Sequence, residues 1–351
     1  MKTTSWALAL CACASFMQIP AQAQSSVTAF GLIDANVSRR QLAGEPSRIT
    51  QSNGGLNTSF FGFRGTEDLG DGLKASFMLT SFFTADTGGQ GRFPGDAFWS
   101  RAAWVGLDSE RLGAVRLGRQ PALAYQNLLR YSAFEGSTAY GPSAQHNYIP
   151  SAAEPMVTGS SGTDSNWNNT ATYISPSWNG AVVSMMLAPR EGTADGRRKG
   201  VGFNYQAEGP WNGGVVYEQV DQMNLNFGRP PVTLLMNRSH LLNAGTSYDF
   251  GVVKLYGQFV RTALDGTTSH IVLKTWQGSA SIPVGLHRIL AAYADTAKEE
   301  RNAADQRRRT LSLAYNHVLS TRTDLYALVM HDRMTGLSNG TSYGAGIRHR
   351  F

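Results

Sequence analysis

The sequence predicts an all-β fold, an antiparallel transmembrane β-barrel of sixteen strands with a long third loop folded inward, and three observations carry this prediction. Apolar and polar residues alternate in many short segments, no long apolar run follows residue 23, and tight turns alternate with long polar connections. Only 16% of the 351 residues are charged and 38 are glycine, a composition that disfavours disordered tails, coiled coils and highly charged nucleic-acid binders.

The first 23 residues read as a secretory signal peptide. Lys2 precedes an apolar run from Trp6 to Phe16, and the small residues Ala21 and Ala23 come directly before the expected cleavage site. Such a run is too short to cross a bilayer as a helix. We therefore predict a mature chain of residues 24–351. A lipoprotein signal is the alternative, but Leu10 is not the small residue expected before a modified Cys11.

The mature chain contains no cysteine, because Cys11 and Cys13 both lie in the predicted signal peptide. An exported protein without cysteine cannot be held together by disulfides. Its stability must come from another kind of closure, and a sheet that closes on itself supplies one.

Residues 73–80 show the strand pattern clearly. A period of two places Leu73 and Phe77 on one face of a strand, and Lys74, Ser76 and Thr80 on the other. Segments of this kind, about ten residues long and separated by turn residues, are typical of transmembrane β-barrels. The pattern recurs at residues 253–259, 310–316 and 343–351.

The connections predict the number of strands. Seven tight turns fall at residues 68–72, 108–113, 175–180, 208–213, 249–251, 283–285 and 319–324. Longer polar stretches fall between turns, for example at residues 84–97, 190–198, 223–238 and 298–306. Seven turns with a long loop in each flanking interval give eight loops and sixteen strands, the outer-membrane arrangement. A secreted β-sandwich or β-helix is the alternative, since apolar and polar residues also alternate along its strands.

The third connection, at about residues 120–163, is far longer than the usual loop of about 4–6 residues. It holds enough apolar surface to fold against the inner barrel wall rather than remain disordered. The residues that supply this surface are Tyr125, Leu128, Leu129, Tyr131, Phe134 and Tyr140. Glu135 is the only carboxylate between Arg111 and Ala153. We predict that it faces the pore, and a solvated loop glutamate is the alternative.

Basic residues supply the opposite charge. Arg64 alternates with Phe61 and Phe63 and should face the interior, as should, less clearly, Lys74, Arg101 and Arg116. Guanidinium groups facing a carboxylate across a narrow aqueous pore create a field that selects ions. For each single cation the alternative is a solvated residue with no special effect.

Several segments resemble the general porins of β-proteobacterial outer membranes, in the order found in that family. They are residues 25–34, 62–70, 105–107, 117–120 and the ending at residues 346–351. The resemblance implies a trimeric, water-filled barrel whose third loop forms the constriction. It places Arg119 at that constriction, opposite Glu135, and it implies that Phe351 belongs to the strand signal read by the outer-membrane assembly machinery.

The sequence departs from that family at two positions. Phe60 and Asn166 stand where arginines of the pore wall are common in the family. We therefore expect at most moderate anion selectivity, or else a pore shaped for a less charged solute.

The predicted function is a channel in the cell outer membrane, reached through the periplasm, for passive diffusion of ions and small hydrophilic solutes. A pore selective for small organic anions is the alternative. An outer-membrane enzyme would need a Ser/His pair near the lipid boundary, and no spacing nominates one. A barrel with a plugged lumen, acting in adhesion, is a further alternative.

The expected partners are other copies of the chain, in a homotrimer, and outer-membrane lipid. No cofactor or metal is expected, because the seven histidines lack ligand spacing. Basic runs at residues 197–199 and 307–309 adjoin predicted long loops, where they would meet lipopolysaccharide phosphates rather than nucleic acid.

Overall fold

A computed structural model describes residues 26–149, 165–190, 196–206, 208–227, 232–267, 269–301 and 303–351. The predicted signal peptide and the predicted mature start at Gln24 lie outside the described residues. So does the last part of the third connection, at residues 150–164.

The described residues form seventeen strands and two short helices. The strands are β1 (Ser26–Arg40), β2 (Arg48–Asn53), β3 (Phe60–Gly70), β4 (Leu73–Phe82), β5 (Ala102–Ser109), β6 (Gly113–Pro121), β7 (Asn166–Ile174), β8 (Ala181–Ala188), β9 (Arg198–Gln206), β10 (Trp211–Phe227), β11 (Val232–Asp249), β12 (Lys254–Gly266), β13 (His270–Val284), β14 (His287–Glu300), β15 (Gln306–Val318), β16 (Thr323–Met334) and β17 (Gly340–Arg350). The helices are α1 (Leu123–Arg130) and α2 (Pro142–Tyr148). None of the described helices is long and apolar enough to cross a membrane.

The sheet closes into a barrel of sixteen antiparallel strands, as predicted. β3 to β17 pair in sequence order, and β17 returns to β1. β2 and β3 together form one barrel strand, because β2 pairs with residues 35–40 of β1 and β3 pairs with residues 26–32. Closure leaves no free edge among the described strands, which is how a barrel satisfies its backbone in lipid.

The break between β2 and β3 is held by a buried carboxylate. Asp34 on β1 accepts hydrogen bonds from the backbone N–H groups of Gly55, Leu56 and Asn57, at 2.8–3.0 Å. The Tyr326 hydroxyl donates to the same carboxylate at 2.5 Å. These bonds replace the ladder hydrogen bonds that residues 54–59 do not make.

The strands are apolar outside and polar inside, the reverse of a soluble protein. In β15, Leu311, Leu313 and Tyr315 are exposed on the outer face, while Thr310 and Ser312 are buried. The same alternation holds in β4, where Ser76 and Thr80 are buried. This pattern fits a barrel whose outer face meets lipid.

Short and long connections alternate up to β9, as predicted, but from β10 onward the predicted long loops are short, because the strands extend into them. Residues 223–238 are predicted to form a loop, but β10 reaches Phe227 and β11 begins at Val232, and these two strand ends pair with each other. Likewise, residues 298–300 belong to β14, and β15 begins at residue 306. A hairpin outside the membrane needs only backbone pairing, so its polar side chains do not show where the strands end.

The third connection, residues 122–165, is called the third loop below, and its described part, residues 122–149, folds into the barrel. In α1, Asn127 donates to the Asn243 side chain of β11 at 3.0 Å. Phe134 and Tyr140, between the helices, are buried in a cluster with inward-facing residues of β14 to β16. Gly245 lies under Tyr131, where a Cβ atom would meet the ring at 2.3 Å. The core therefore lies between the third loop and β9 to β16.

Candidate functional site

The space that the third loop leaves open lies against β3 to β7. A cavity of about 370 Å³, called the constriction cavity below, separates this wall from the loop. Its wall side includes Phe60, Met78, Phe82, Arg101, Trp104, Arg116 and Asn166, and its loop side includes Tyr125, Gln126, Leu129 and Glu135. The structure thus brings Arg101 and Arg116 to the side opposite Glu135.

Two further cavities adjoin the constriction cavity. One, of about 340 Å³, lies toward the short-turn end and is lined by Arg64, Lys74, Asp108 and Arg116. The other, of about 600 Å³, lies beside α1 and includes Arg116 and Arg130. Because Arg116 lines all three cavities, they meet at this side chain.

Each inward-facing arginine of the wall rests on an aromatic ring. The guanidinium carbon lies 5.0 Å from the ring centre of Phe30 for Arg64, 3.9 Å from that of Phe60 for Arg101, and 4.5 Å from that of Trp104 for Arg116. Such contacts stabilise a cation without neutralising it.

The wall arginines differ in how far carboxylates neutralise them. Arg116 forms an ion pair with Asp108 at 3.3 Å. Arg101 forms no ion pair with any carboxylate of the described chain. Arg101 is therefore the wall cation whose full charge acts on the cavity.

Glu135 lies between α1 and α2 in a left-handed backbone conformation, with φ of +48°. Its carboxylate lies 3.6 Å from the Arg288 guanidinium, and both side chains are about half exposed. Exposed pairs of this kind contribute little to stability. Glu135 thus lines the cavity as a carboxylate whose charge Arg288 partly offsets.

Arg119, the predicted constriction arginine, is not among the residues that line these cavities. It lies on the outer face of β6, with Val115 and Leu117, and donates to the Ser100 carbonyl at 2.8 Å and to Asn168 Oδ1 at 2.5 Å. Gly118 before it has a φ of +129°, and the register with β7 shifts at this point. The alternation in β6 therefore turns Arg119 away from the lumen.

Sequence reasoning missed the aromatic partners of the arginines. Trp104 shares the inward face of β5 with Ala102 and Gly106, while Val105 and Leu107 are exposed to the outside. The same period of two that predicted Arg64 could have found Trp104. Phe351, the predicted assembly residue, ends the chain after β17 with its ring exposed, and its backbone pairs with Gly31.

A buried polar cluster holds α2 to the wall, and we call it the loop clasp. Arg308 and Asp332 form an ion pair at 3.0 Å with both side chains 1% exposed. Arg308 also donates to Gln145 at 3.2 Å, and His146 bonds to Thr296 and Thr310 at 2.8 and 2.7 Å. Burial, reinforced by Arg308, lowers the pKa of His146 to about 3. His146 is therefore neutral near pH 7.

The described residues contain no group of three or more His, Cys, Asp or Glu side chains arranged to hold a metal ion.

Comparisons with known proteins agree with the barrel fold. Residues 7–337 match a family described as Gram-negative porin. Outer membrane porin protein 32 of Delftia acidovorans is 33% identical, over 93% of this chain and 91% of that protein. An outer membrane porin protein of Bordetella pertussis is 29% identical, over 94% of this chain and 96% of that protein.

Solved structures resemble the fold over the same span. The anion-selective porin from Comamonas acidovorans has a TM-score of 0.76 and 27% identity, over 93% of this chain and 100% of that one. OmpT of Vibrio cholerae, in a structure described as a trimer form, has a TM-score of 0.69 and 11% identity, over 93% and 99%. The second likeness concerns the fold alone.

Proposed function

The chain belongs to the Gram-negative porin family, as a passive outer-membrane channel for small solutes rather than an enzyme, and we propose that this channel moderately favours anions. The observation that carries this proposal is the position of Arg101 and Arg116 across the constriction cavity from Glu135. Fixed charges at the narrowest part of a pore decide which ions enter.

The balance of charge along the wall supports the preference for anions. Arg64, Lys74 and Arg116 face a single carboxylate, Asp108, in the cavity toward the short turns. At physiological salt the Debye length is about 8 Å, so these nearby charges outweigh the net +6 of the whole chain. The uncharged Phe60 and Asn166, which line the constriction cavity, keep the preference moderate. The Comamonas relative is itself named as anion-selective.

Reversal potentials in planar bilayers test the proposal. In a potassium chloride gradient, the potential at zero current should have the sign set by chloride. A potential at zero, or one with the sign set by potassium, would contradict the proposed preference.

We further propose a homotrimer in which the second loop, residues 84–97, reaches a neighbouring subunit. Exposed apolar side chains cover the outer faces of β5 and β6, and Phe93 in the second loop is exposed. Deleting residues 87–91 should lower the temperature at which the trimer dissociates on a gel. An unchanged dissociation temperature would remove the second loop from the interface.

Phe351 is proposed to act in recognition by the assembly machinery. Its exposed ring ends the last strand, and its backbone N–H and C=O bond to Gly31 at 3.1 Å each. A chain ending at Arg350 should show several-fold lower outer-membrane abundance, measured against the full chain at equal synthesis. Any folded truncated protein should keep the parent conductance. Equal abundance would argue against this role.

Lipopolysaccharide is the proposed contact of the outer face at the long-loop end of β15. Arg307 and Arg309 are exposed there and share one carboxylate, Asp295, at 2.6 and 3.3 Å. Replacing both with glutamine should lower the lipopolysaccharide that co-purifies with the barrel. The matched control replaces Arg64 and Lys74, two cations inside the lumen, and should leave that amount unchanged. The proposal fails if the variant at Arg307 and Arg309 retains as much lipopolysaccharide as the control variant does.

A further inference from the structure

The arginines of the constriction cavity rest on aromatic rings, and we propose that this cavity binds planar aromatic carboxylates such as benzoate. This inference rests on the proposed anion preference and adds a solute class to it. Two features of the cavity carry it: guanidinium groups held in fixed orientations, and apolar surface across from them.

The guanidinium groups are oriented for a carboxylate. The guanidinium carbon of Arg101 lies 3.9 Å from the ring centre of Phe60, and that of Arg116 lies 4.5 Å from the ring centre of Trp104. These contacts hold both side chains against the rings. A guanidinium fixed in this way keeps its N–H edges in the fork geometry that matches a carboxylate. Arg101 forms no ion pair with a described carboxylate, and Arg116 is bound to Asp108 through one Nη atom only, at 3.3 Å. Donors therefore remain for an incoming anion.

The rest of the cavity suits the body of such a solute. Met78 and Phe82 line the wall side, and Tyr125 and Leu129 line the loop side. The Tyr125 ring meets the Tyr148 ring edge to face, with the ring centres 4.9 Å apart. The cavity volume of about 370 Å³ lies within the range of small-molecule sites, about 300–1,000 Å³. A ring-bearing anion can bury apolar area here, whereas a small hydrated ion cannot.

A flat ring suits this cavity better than a puckered one. Aromatic solutes stack on guanidinium planes and pack against aromatic side chains through their faces and edges. Cyclohexanecarboxylate has the same charge and a similar size, but it has no π face. Succinate has two carboxylates for the two arginines but no ring. These three anions therefore separate recognition of the ring from recognition of charge.

Block of the chloride current in planar bilayers tests the inference on the unaltered protein. Benzoate, cyclohexanecarboxylate and succinate are added in turn, and the half-blocking concentration of each is measured. We expect the value for benzoate to be at least fivefold lower than either of the others. Equal values, or a lower value for succinate or cyclohexanecarboxylate, would overturn the inference. A channel without anion preference would instead defeat the proposed function, through its own reversal-potential measurement.

Variants locate the effect in the cavity. Phe60→Leu and Trp104→Leu each remove one ring beneath an arginine. Each should bring the half-blocking concentration of cyclohexanecarboxylate, divided by that of benzoate, toward one. Phe63→Leu is the matched control, because Phe63 is exposed on the outer face of the same strand, β3. It should keep the full ratio. The ratio is measured within single channels, so it does not depend on folding yield. If both ring-removing variants keep the full ratio, the assignment to this cavity is wrong.

Discussion

Replacing Arg101 with glutamine should shift the reversal potential of the channel toward cations, and further than the same replacement at Arg119. Arg101 lines the constriction cavity and forms no ion pair with a described carboxylate. Arg119 points away from that cavity and is bonded to Ser100 and Asn168. Only the first side chain lies beside the path of a permeating ion.

Coulomb's law gives the size of the Arg101 effect. A unit charge about 5 Å from an anion, in surroundings as polar as water, attracts it by about 1 kcal/mol. That energy corresponds to roughly a fivefold change in local anion concentration. Arg101→Gln should therefore lower the chloride-to-potassium permeability ratio by about that factor. Arg101→Lys keeps the charge and should retain most of the ratio.

Glu135→Gln supplies the matched change of opposite sign. It should raise the permeability ratio for chloride, and by less than Arg101→Gln lowers it, because Arg288 already offsets the carboxylate at 3.6 Å. If Arg119→Gln shifts the ratio more than Arg101→Gln does, the constriction lies beside Arg119, as the family resemblance first implied.

The direction of side chains could be predicted from the sequence wherever a strand is regular. Arg64 alternates with outward-facing Phe63, and it lines a cavity as expected. The rule fails at strand ends and irregularities. Arg101 comes one residue before β5 and turns into the lumen, although it shares parity with the outward-facing Val105. Arg119, by contrast, follows the rule, since it lies on the outer face of β6. Only the family resemblance placed it at the constriction.

Long-range contacts set the rest of the architecture. The apolar residues of the third loop predicted that it packs against the wall, but not which strands it contacts. Asp34 interrupts one barrel strand by binding backbone N–H groups about twenty residues away. Arg308, which charge alone would assign to the rim, is buried against Asp332. These pairings depend on closure of the barrel, so no local pattern in the sequence encodes them.

Asp332→Ala should release the α2 end of the third loop and destabilise the barrel. The Asp332 carboxylate accepts hydrogen bonds from Arg308, from the Thr310 hydroxyl and from the backbone N–H of Ala43. Removing one partner of a buried ion pair leaves the other charge uncompensated, at a cost of about 3–5 kcal/mol. We expect a fall of that size in the free energy of unfolding, measured by urea denaturation in lipid vesicles.

The pore should respond as well. α2 ends at Tyr148, whose ring packs on Tyr125 in the constriction cavity. Loosening α2 should therefore broaden and raise the distribution of single-channel conductance. The double variant Arg308→Met with Asp332→Leu is the control, because it removes both charges and keeps apolar volume. It should be more stable than Asp332→Ala. An equal loss of stability in both variants would mean that the charges of the loop clasp do not stabilise the barrel.

Acid gives an independent measurement on the same clasp. The pKa of His146 is about 3 in the folded protein, below its ordinary value near 6.5. Between these values the unfolded chain binds the additional proton, so stability falls as the pH falls through this window. At about 1.4 kcal/mol per pH unit, protonation of His146 alone can lower the free energy of unfolding by on the order of 4 kcal/mol by pH 3. His146→Gln cannot be protonated and should lose less stability between pH 7 and pH 4 than the parent does. The same acid dependence in both proteins would show that His146 does not titrate within the clasp.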